Sequence, residues 1–365
     1  MRILIVAPER IPVPGSGSVE ICILAIARQL ATNHQVTIIS RRTPYLPHQS
    51  QMGNITIVRV PSKSTSTYIS AVIRYIKQSR VYDFIQVDNR PQYMGLIKQA
   101  FPEIPISLFL HSLTFVPPQP SISRYLKKAD LIIANSHSLH QKLASQFPQS
   151  AKNIHTVELG VDISRFRSAT EIEKRTSRKR YGIDNAFTIL FVGRIIPQKG
   201  VAILLQAAHL VRKHTPVQIV IVGRVRSSYM RRLKSQARTL GVPITYLGEF
   251  AHAKIHKIYR LADCFVCPSQ THEAFGLVNI EAMASGVPVI ASRNGGIQEI
   301  VIHGHNGYLV NQYRKPQGFA DYILRLANSS SLRDRMGANG RNDVLEQFTW
   351  DQTASKLTNL YRLEL

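Results

Sequence analysis

Acidic residues are scarce in this 365-residue chain: 22 Asp and Glu stand against 46 Lys and Arg, and the formal net charge is +24. A surplus of that size favours polyanions or anionic surfaces as partners. Divided at residue 165, the halves hold 18 basic against 8 acidic and 28 against 14 residues, so the excess belongs to no single tail. An even spread, with no recognised module or aromatic-basic interleaving, speaks against a nucleic-acid reader. Cysteine is scarce as well. Three of them are too few for a disulfide-built secreted fold of this length, and a reducing compartment is expected. Cys264 and Cys267 form a C-x-x-C, but on a strand positions three apart face opposite sides and cannot hold one ion, so a buried structural role is expected. Long apolar runs are missing too. Nothing approaches the roughly 18 residues of a membrane span. The five-residue run Ile3 to Ala7 is too short for a signal-peptide core. The expected location is cytoplasmic, with membrane contact only peripheral, on the inner face of the cytoplasmic membrane.

What is present is globular: 44% of residues are hydrophobic and 19% charged, which excludes disorder, and the length allows two domains. Short Ile- and Val-rich runs alternate with amphipathic stretches, the pattern of βαβ units around a parallel sheet. In the first half the spacing predicts strands at 3–6, 36–39, 55–58, 84–87, 106–110 and 131–134, and helices at 19–31, 68–78 and 138–146. The alternation stops in the polar, basic stretch near 167–180, which reads as a linker leading into a short helix, and then restarts. Strands are predicted at 188–192, 218–222, 244–247, 264–266 and 287–291, and helices at 201–213, 227–240 and 276–285. The fold class expected is α/β, two Rossmann-like doubly wound parallel-sheet domains facing a cleft, where open sheets of this kind bind ligands. The domains are expected at 1–165 and 183–345, joined by a linker at 166–182. A last helix, within 346–365, is expected to pack back toward the first domain.

Three stretches carry chemistry. Pro14-Gly15-Ser16-Gly17-Ser18 follows the first strand and precedes a helix, so Gly15 and Gly17 can let backbone N–H groups approach an anion. A purely structural glycine turn is the alternative there, because the full G-x-G-x-x-G pattern is missing. Phe191 to Gly200 closes a strand with Arg194 and returns Lys199 as a helix begins, a placement in which two cations and a helix N-terminus would neutralise a diphosphate. Solvated surface charge is the plain alternative. Glu273-Ala274-Phe275-Gly276-Leu277-Val278-Asn279-Ile280-Glu281 places a carboxylate in a loop and a second one about a turn into a helix. The backbone N–H groups of Phe275, Gly276 and Leu277 lie between them. Carboxylates accept from hydroxyls, so two of them flanking a phosphate seat suit a sugar on one side and a ribose on the other. Otherwise Glu273 is a helix-dipole partner and Glu281 an exposed helix residue.

The stretch from Glu273 to Glu281 resembles the E-x7-E signature of retaining GT-B glycosyltransferases, and Ala282 to Ile290 looks like its usual continuation in family 4, the glycosyl transferases group 1. The glycine loop, His111 after a strand, Leu159-Gly160-Val161-Asp162, Gly193-Arg194 with Lys199-Gly200, and Gly295-Gly296 with Glu299 follow the same order along almost the whole chain. Val87-Asp88-Asn89-Arg90-Pro91 with Leu110-His111-Ser112 is similar to members of the spore-coat or cell-envelope type. The resemblance implies that Arg194 and Lys199 hold the diphosphate of a UDP- or GDP-sugar, Glu281 the ribose, and Glu273 with the amides of Phe275 to Leu277 the transferred sugar. His111 would position or polarise. The glycine loop, with Gly17-Ser18 in place of the family's Gly-Gly, would close on the diphosphate or the acceptor. The implied reaction is a front-face transfer that retains configuration and needs no metal, to a glycan or lipid-linked acceptor in envelope, capsule or extracellular polysaccharide synthesis. The competing expectation is a catalytically weak protein of the same fold that binds polyanions or serves as a coat.

Overall fold

The computed structural model describes residues 1–12, 17–79 and 82–365. They divide into two compact units, one of Met1–Gly160 with Trp350–Leu365 and the other of Val161–Thr349.

Among the described residues the first unit holds an eight-stranded sheet: β1 (Arg2–Val6), β2 (Gln35–Arg41), β3 (Gln49–Met52), β4 (Ile55–Val60), β5 (Phe84–Asp88), β6 (Ile106–Leu110), β7 (Leu131–Ala134) and β8 (Ile154–Thr156). Its order is β3-β4-β2-β1-β5-β6-β7-β8, and every pairing is parallel except β3 with β4. β6 and β7 are buried at every position, as expected where helices cover both faces of a parallel sheet. The helices are α1 (Ser18–Leu30), α2 (Thr65–Ser79), α3 (Pro91–Ala100), α4 (Pro120–Leu126) and α5 (His137–Gln146). The second unit adds a six-stranded, wholly parallel sheet of order β11-β10-β9-β12-β13-β14. Its strands are β9 (Phe187–Val192), β10 (Val217–Val222), β11 (Ile244–Tyr246), β12 (Cys264–Cys267), β13 (Val289–Ser292) and β14 (Gly307–Val310). Its helices are α6 (Glu171–Arg180), α7 (Val201–Arg212), α8 (Ser227–Thr239), α9 (His252–Tyr259), α10 (Leu277–Ala284), α11 (Ile297–Ile300), α12 (Pro316–Ala327) and α13 (Ser330–Gln347). The chain then returns to the first unit as α14 (Trp350–Leu363), which packs on α1 and stacks Tyr361 on Phe84 with ring centroids 4.0 Å apart.

Several elements escape the sequence pattern. β3 reads Gln-Ser-Gln-Met, which offers no apolar period, and it exists because the turn at Gly53 folds it back on β4. β8, β14, α3, α4, α9, α12 and α13 were likewise not anticipated. The stretch 166–182, expected as a linker leading into a short helix, lies in the second unit, and α6 takes up most of it. That helix starts because Thr170 and Glu173 close a capping box, and its basic last turn suits the negative end of the helix dipole. It is fastened to its own unit by Asp263, which lies 2.7 Å from both Lys174 Nζ and Arg178 Nη2 and accepts the Thr188 N–H at 2.7 Å. Cys264 and Cys267, at the two ends of β12, are both buried and free.

Burial alone would raise the Asp263 carboxyl, but Lys174 and Arg178 hold it below the usual carboxylate range. Its contribution is therefore complete above that range and is lost as the pH falls through the depressed value. Asp263→Ala should lower the unfolding free energy at pH 7 by about 3 kcal/mol, at the low end for breaking a buried pair because the partners are partly exposed. In urea unfolding the gap between variant and wild type should narrow below the ordinary carboxyl range.

Candidate functional site

In a parallel sheet all strands end on the same side, so the loops after β9, β12 and β13, which are neighbours, meet at one edge of the second unit. They are knitted by their backbones. Gln270 N–H donates to Gln198 C=O at 2.7 Å, and Gly296 N–H donates to Glu273 C=O at 2.9 Å. The Asn294 side chain donates to Thr271 C=O at 2.6 Å. The result places Lys199 against Glu273 in an ion pair through Oε2, and Ser269 Oγ donates to the same oxygen at 3.0 Å. Both members of the pair are about three-quarters shielded from water. Gly200, in the left-handed region at φ 74°, lets the chain turn directly from Lys199 into α7.

The loop from Glu273 leads into α10, whose N-cap is Gly276 at φ 103°, a backbone that L side chains rarely adopt. Phe275 buries its ring at the edge of Phe348, so only its backbone faces the loop's chemistry. The amides at this helix start have no intrahelical acceptor. Glu281, on the same helix, is 7% exposed and not the solvated residue a helix-surface position would suggest. Each of its oxygens has a protein donor: His252 Nε2 lies 2.9 Å from Oε1, and Tyr259 OH donates to Oε2 at 2.7 Å. Burial, with Glu281 beside it, pushes the Tyr259 phenol well above its usual range, so the proton stays on the tyrosine.

Arg194 stands apart from that cluster. It is exposed at the end of β9, between backbone bonds from Gly193 N–H to Val222 C=O and from Ile195 N–H to Arg224 C=O, and makes no ion pair with any described residue.

In the first unit His111 follows β6, and the last residue of the neighbouring β5, Asp88, meets it. The ring Nε2 lies 2.9 Å from Asp88 Oδ1, and the ring stacks on Phe109 at 4.6 Å. Asp88 is fully buried and also accepts Gln86 Nε2 at 2.8 Å, while Tyr361 of α14 donates to the other end of the Gln86 amide. The main chain of His111 is held by Asn89 Oδ1 at 2.9 Å and Asn135 Nδ2 at 3.3 Å. Asn89 has φ 57°, alone among the described non-glycine residues in being left-handed. Gly15 lies outside the described residues. Gly17 is the extended N-cap of α1, and the Glu20 carboxylate folds over it where a side chain would otherwise sit. Burial raises the Glu20 carboxyl, and the start of α1 is occupied by this chain's own acid. The residues that sequence reasoning missed are Asp88 as a partner of His111, and Ser269, Tyr259 and His252 around the glutamates. His252 lies 29 positions before Glu281, and no spacing rule joins them.

The sequence model of Glycosyltransferase Family 4 matches residues 19–165, and that of Glycosyl transferases group 1 matches residues 173–343. Spore coat protein SA of Bacillus subtilis (strain 168) is 29% identical, over 99% of each chain. Sucrose-phosphate synthase from Thermosynechococcus elongatus superposes with a TM-score of 0.85 at 21% identity, over 100% of this chain and 99% of that one. Anabaena Alr3699/HepE in complex with UDP and glucose superposes with a TM-score of 0.78 at 22% identity, over 99% of each chain. At such identities the structural likeness is one of fold.

Gly295, at φ 59°, has no room for a side chain: a Cβ there would overlap the Glu273 carbonyl oxygen. Gly295→Ala should therefore cost about 1–3 kcal/mol of stability through backbone strain and displacement of the Glu273 loop. Thermal unfolding checks this, and a melting temperature equal to wild type would show that the loop is not held as described.

Proposed function

The chain belongs to the glycosyl transferases group 1 family, a family of enzymes, and has the two Rossmann-like units of the GT-B fold; on that premise we propose that it transfers a sugar, with retention, from a UDP- or GDP-sugar to a hydroxyl acceptor. The observation that carries this reading is the start of α10, where Lys199 pairs with Glu273 ahead of unbonded helix amides and Glu281 lies behind them. Lys199 and the exposed Arg194 supply positive charge to the diphosphate, Glu281 takes the ribose hydroxyls, and Glu273 takes hydroxyls of the transferred sugar. The complex of Alr3699/HepE with UDP supports a nucleotide donor by analogy of fold. In the front-face reaction the acceptor oxygen bonds to the anomeric carbon as the bond to the diphosphate oxygen breaks, and the acceptor's proton passes to that leaving phosphate. The protein's part is to hold the two reactants and to stabilise the charge that grows on the diphosphate. His111, its ring held by Asp88, positions or polarises. Because the Lys199 ammonium already has an anionic partner, the donor phosphate must share or displace Glu273, which then turns to the sugar. The family and the +24 charge support a glycan or lipid-linked acceptor in envelope or extracellular polysaccharide synthesis, at the inner face of the membrane.

The charge has a structural focus. Between Asp184 and Glu249 no acidic residue occurs, while ten Lys and Arg do, and all of these but Lys199 are exposed. They ride on α7, on α8 and on the loops that follow β9, α7 and β10. Among the described residues no helix is long and apolar enough to cross a membrane. An anionic surface is the partner that such an exposed basic segment suits.

A thermal-shift screen over UDP- and GDP-sugars identifies the donor. With it, Lys199→Ala and Arg194→Ala should each lower kcat/KM by about tenfold to a hundredfold, the worth of a charge-assisted hydrogen bond, with the fold intact. Near-wild-type turnover would remove the diphosphate assignment. For the surface, binding to liposomes should rise with the anionic lipid fraction and weaken with salt. Replacing Arg231 and Arg232 of α8 by Glu should weaken it further. A protein indifferent to anionic vesicles at low salt would assign the charge to an acidic glycan instead.

A further inference from the structure

The partners of Glu281 extend outward in an ordered series. Arg165 Nη2 lies 3.4 Å from His252 Nδ1, and His252 Nε2 lies 2.9 Å from Glu281 Oε1. A guanidinium can only donate, so the Nδ1 it faces must accept, and the ring proton must sit on Nε2, where it points at the carboxylate. Arg165 is itself held: its Nε lies 2.9 Å from Asp162 Oδ2. Asp162 in turn accepts the Ser164 hydroxyl at 2.6 Å and the N–H groups of Ser164 and Arg165. Burial opposes the Asp162 charge, but Ser164 and Arg165 outweigh it and keep the carboxyl below its usual range. The fully buried Phe166 packs against the His252 ring, with centroids 5.8 Å apart, and limits its rotation. On the far side Tyr259 donates to the second oxygen, so each Glu281 oxygen carries one protein donor and keeps a lone pair for a ligand.

We propose that His252 is a positioning residue for nucleotide binding: the series Asp162–Arg165–His252 fixes one histidine tautomer, and that tautomer orients the Glu281 carboxylate for the ribose hydroxyls. All of these residues lie in the second unit. The proposal rests on the ribose reading of Glu281 and adds to it a role for Asp162, which neither motif spacing nor exposure assigns. It also separates two functions on α9, where Tyr259 shields the carboxylate from within and His252, at the first residue of the helix, steers it from the rim.

The test is calorimetric titration with UDP or GDP, whichever the protein binds, and with the corresponding 2′,3′-dideoxy nucleotide. His252→Ala should weaken the ribonucleotide about tenfold, the loss of one hydrogen bond to a charged group, and leave the dideoxy nucleotide unchanged. His252→Gln, whose amide can donate from nearly the place of Nε2, should recover most of that loss. Arg165→Met, which frees the ring to carry its proton on either nitrogen, should give a smaller, ribose-dependent loss. Should His252→Ala fail to fold, the Gln and Met variants still carry the comparison. A merely structural histidine would weaken both nucleotides alike and would not be rescued by Gln, and that result overturns the proposal. Glu281→Gln is the control. If it spares ribonucleotide binding, the ribose reading itself fails and the proposal with it. If it weakens ribonucleotide binding while His252→Ala does not, the ribose reading stands and the relay alone is overturned.

Discussion

A carboxylate more than nine-tenths withdrawn from water must find hydrogen-bond donors before it can keep its charge, because an uncompensated buried ion is costly. Glu281 meets that requirement with a histidine and a tyrosine, neither of them a fixed cation, in a chain with 46 Lys and Arg to choose from. Donors other than Lys or Arg leave the carboxylate hydrogen-bonded without a fixed counter-charge. A ligand hydroxyl can join the same oxygens without displacing a salt bridge. Glu273 is built the other way, paired to Lys199, so whatever binds there must compete with an internal ion pair.

The same constraint organises the rest of the molecule. Asp263 fastens α6 to its sheet through two cations, and the fully buried Asp88 holds His111 through a ring nitrogen. Each of these acids stands at or beside the end of a strand or just before one. That is where a parallel sheet covered on both faces leaves polar groups room. Glycines at φ 74°, 59° and 103° make the sharp returns after β9, β13 and β12, and at Gly295 the neighbouring carbonyl would not admit a methyl group. The site is therefore a product of backbone economy as much as of side-chain chemistry: three adjacent loops, each tightened by its neighbour's amides.

Much of this was legible in the linear pattern. The apolar runs at 106–110 and 131–134 coincide with β6 and β7, because buried parallel strands are apolar on both faces and leave an unbroken signal. The carboxylates at Glu273 and Glu281 were legible because a loop and the helix that follows it are contiguous, so local spacing fixes their relation. β3 was not, since a polar edge strand owes its existence to its partner, and α6 was legible only as a short helix at the end of a linker, because it buries no apolar face that would give it a period.

What the sequence determined by itself, then, is whatever depends on neighbours in the chain: the βα alternation, the glycine turns, and the presence of two cations and two acids at strand ends and helix starts. Only the tertiary structure decided which of them meet. It joined Lys199 to Glu273 across 74 positions, brought His252 to Glu281 across 29, and set Asp88 against His111 across 23. It left Arg194 at the surface without an ion-pair partner among the described residues. Parallel strands need long crossovers, so residues that share one sheet edge are far apart in sequence. Their pairing is set by strand order, which no local period encodes.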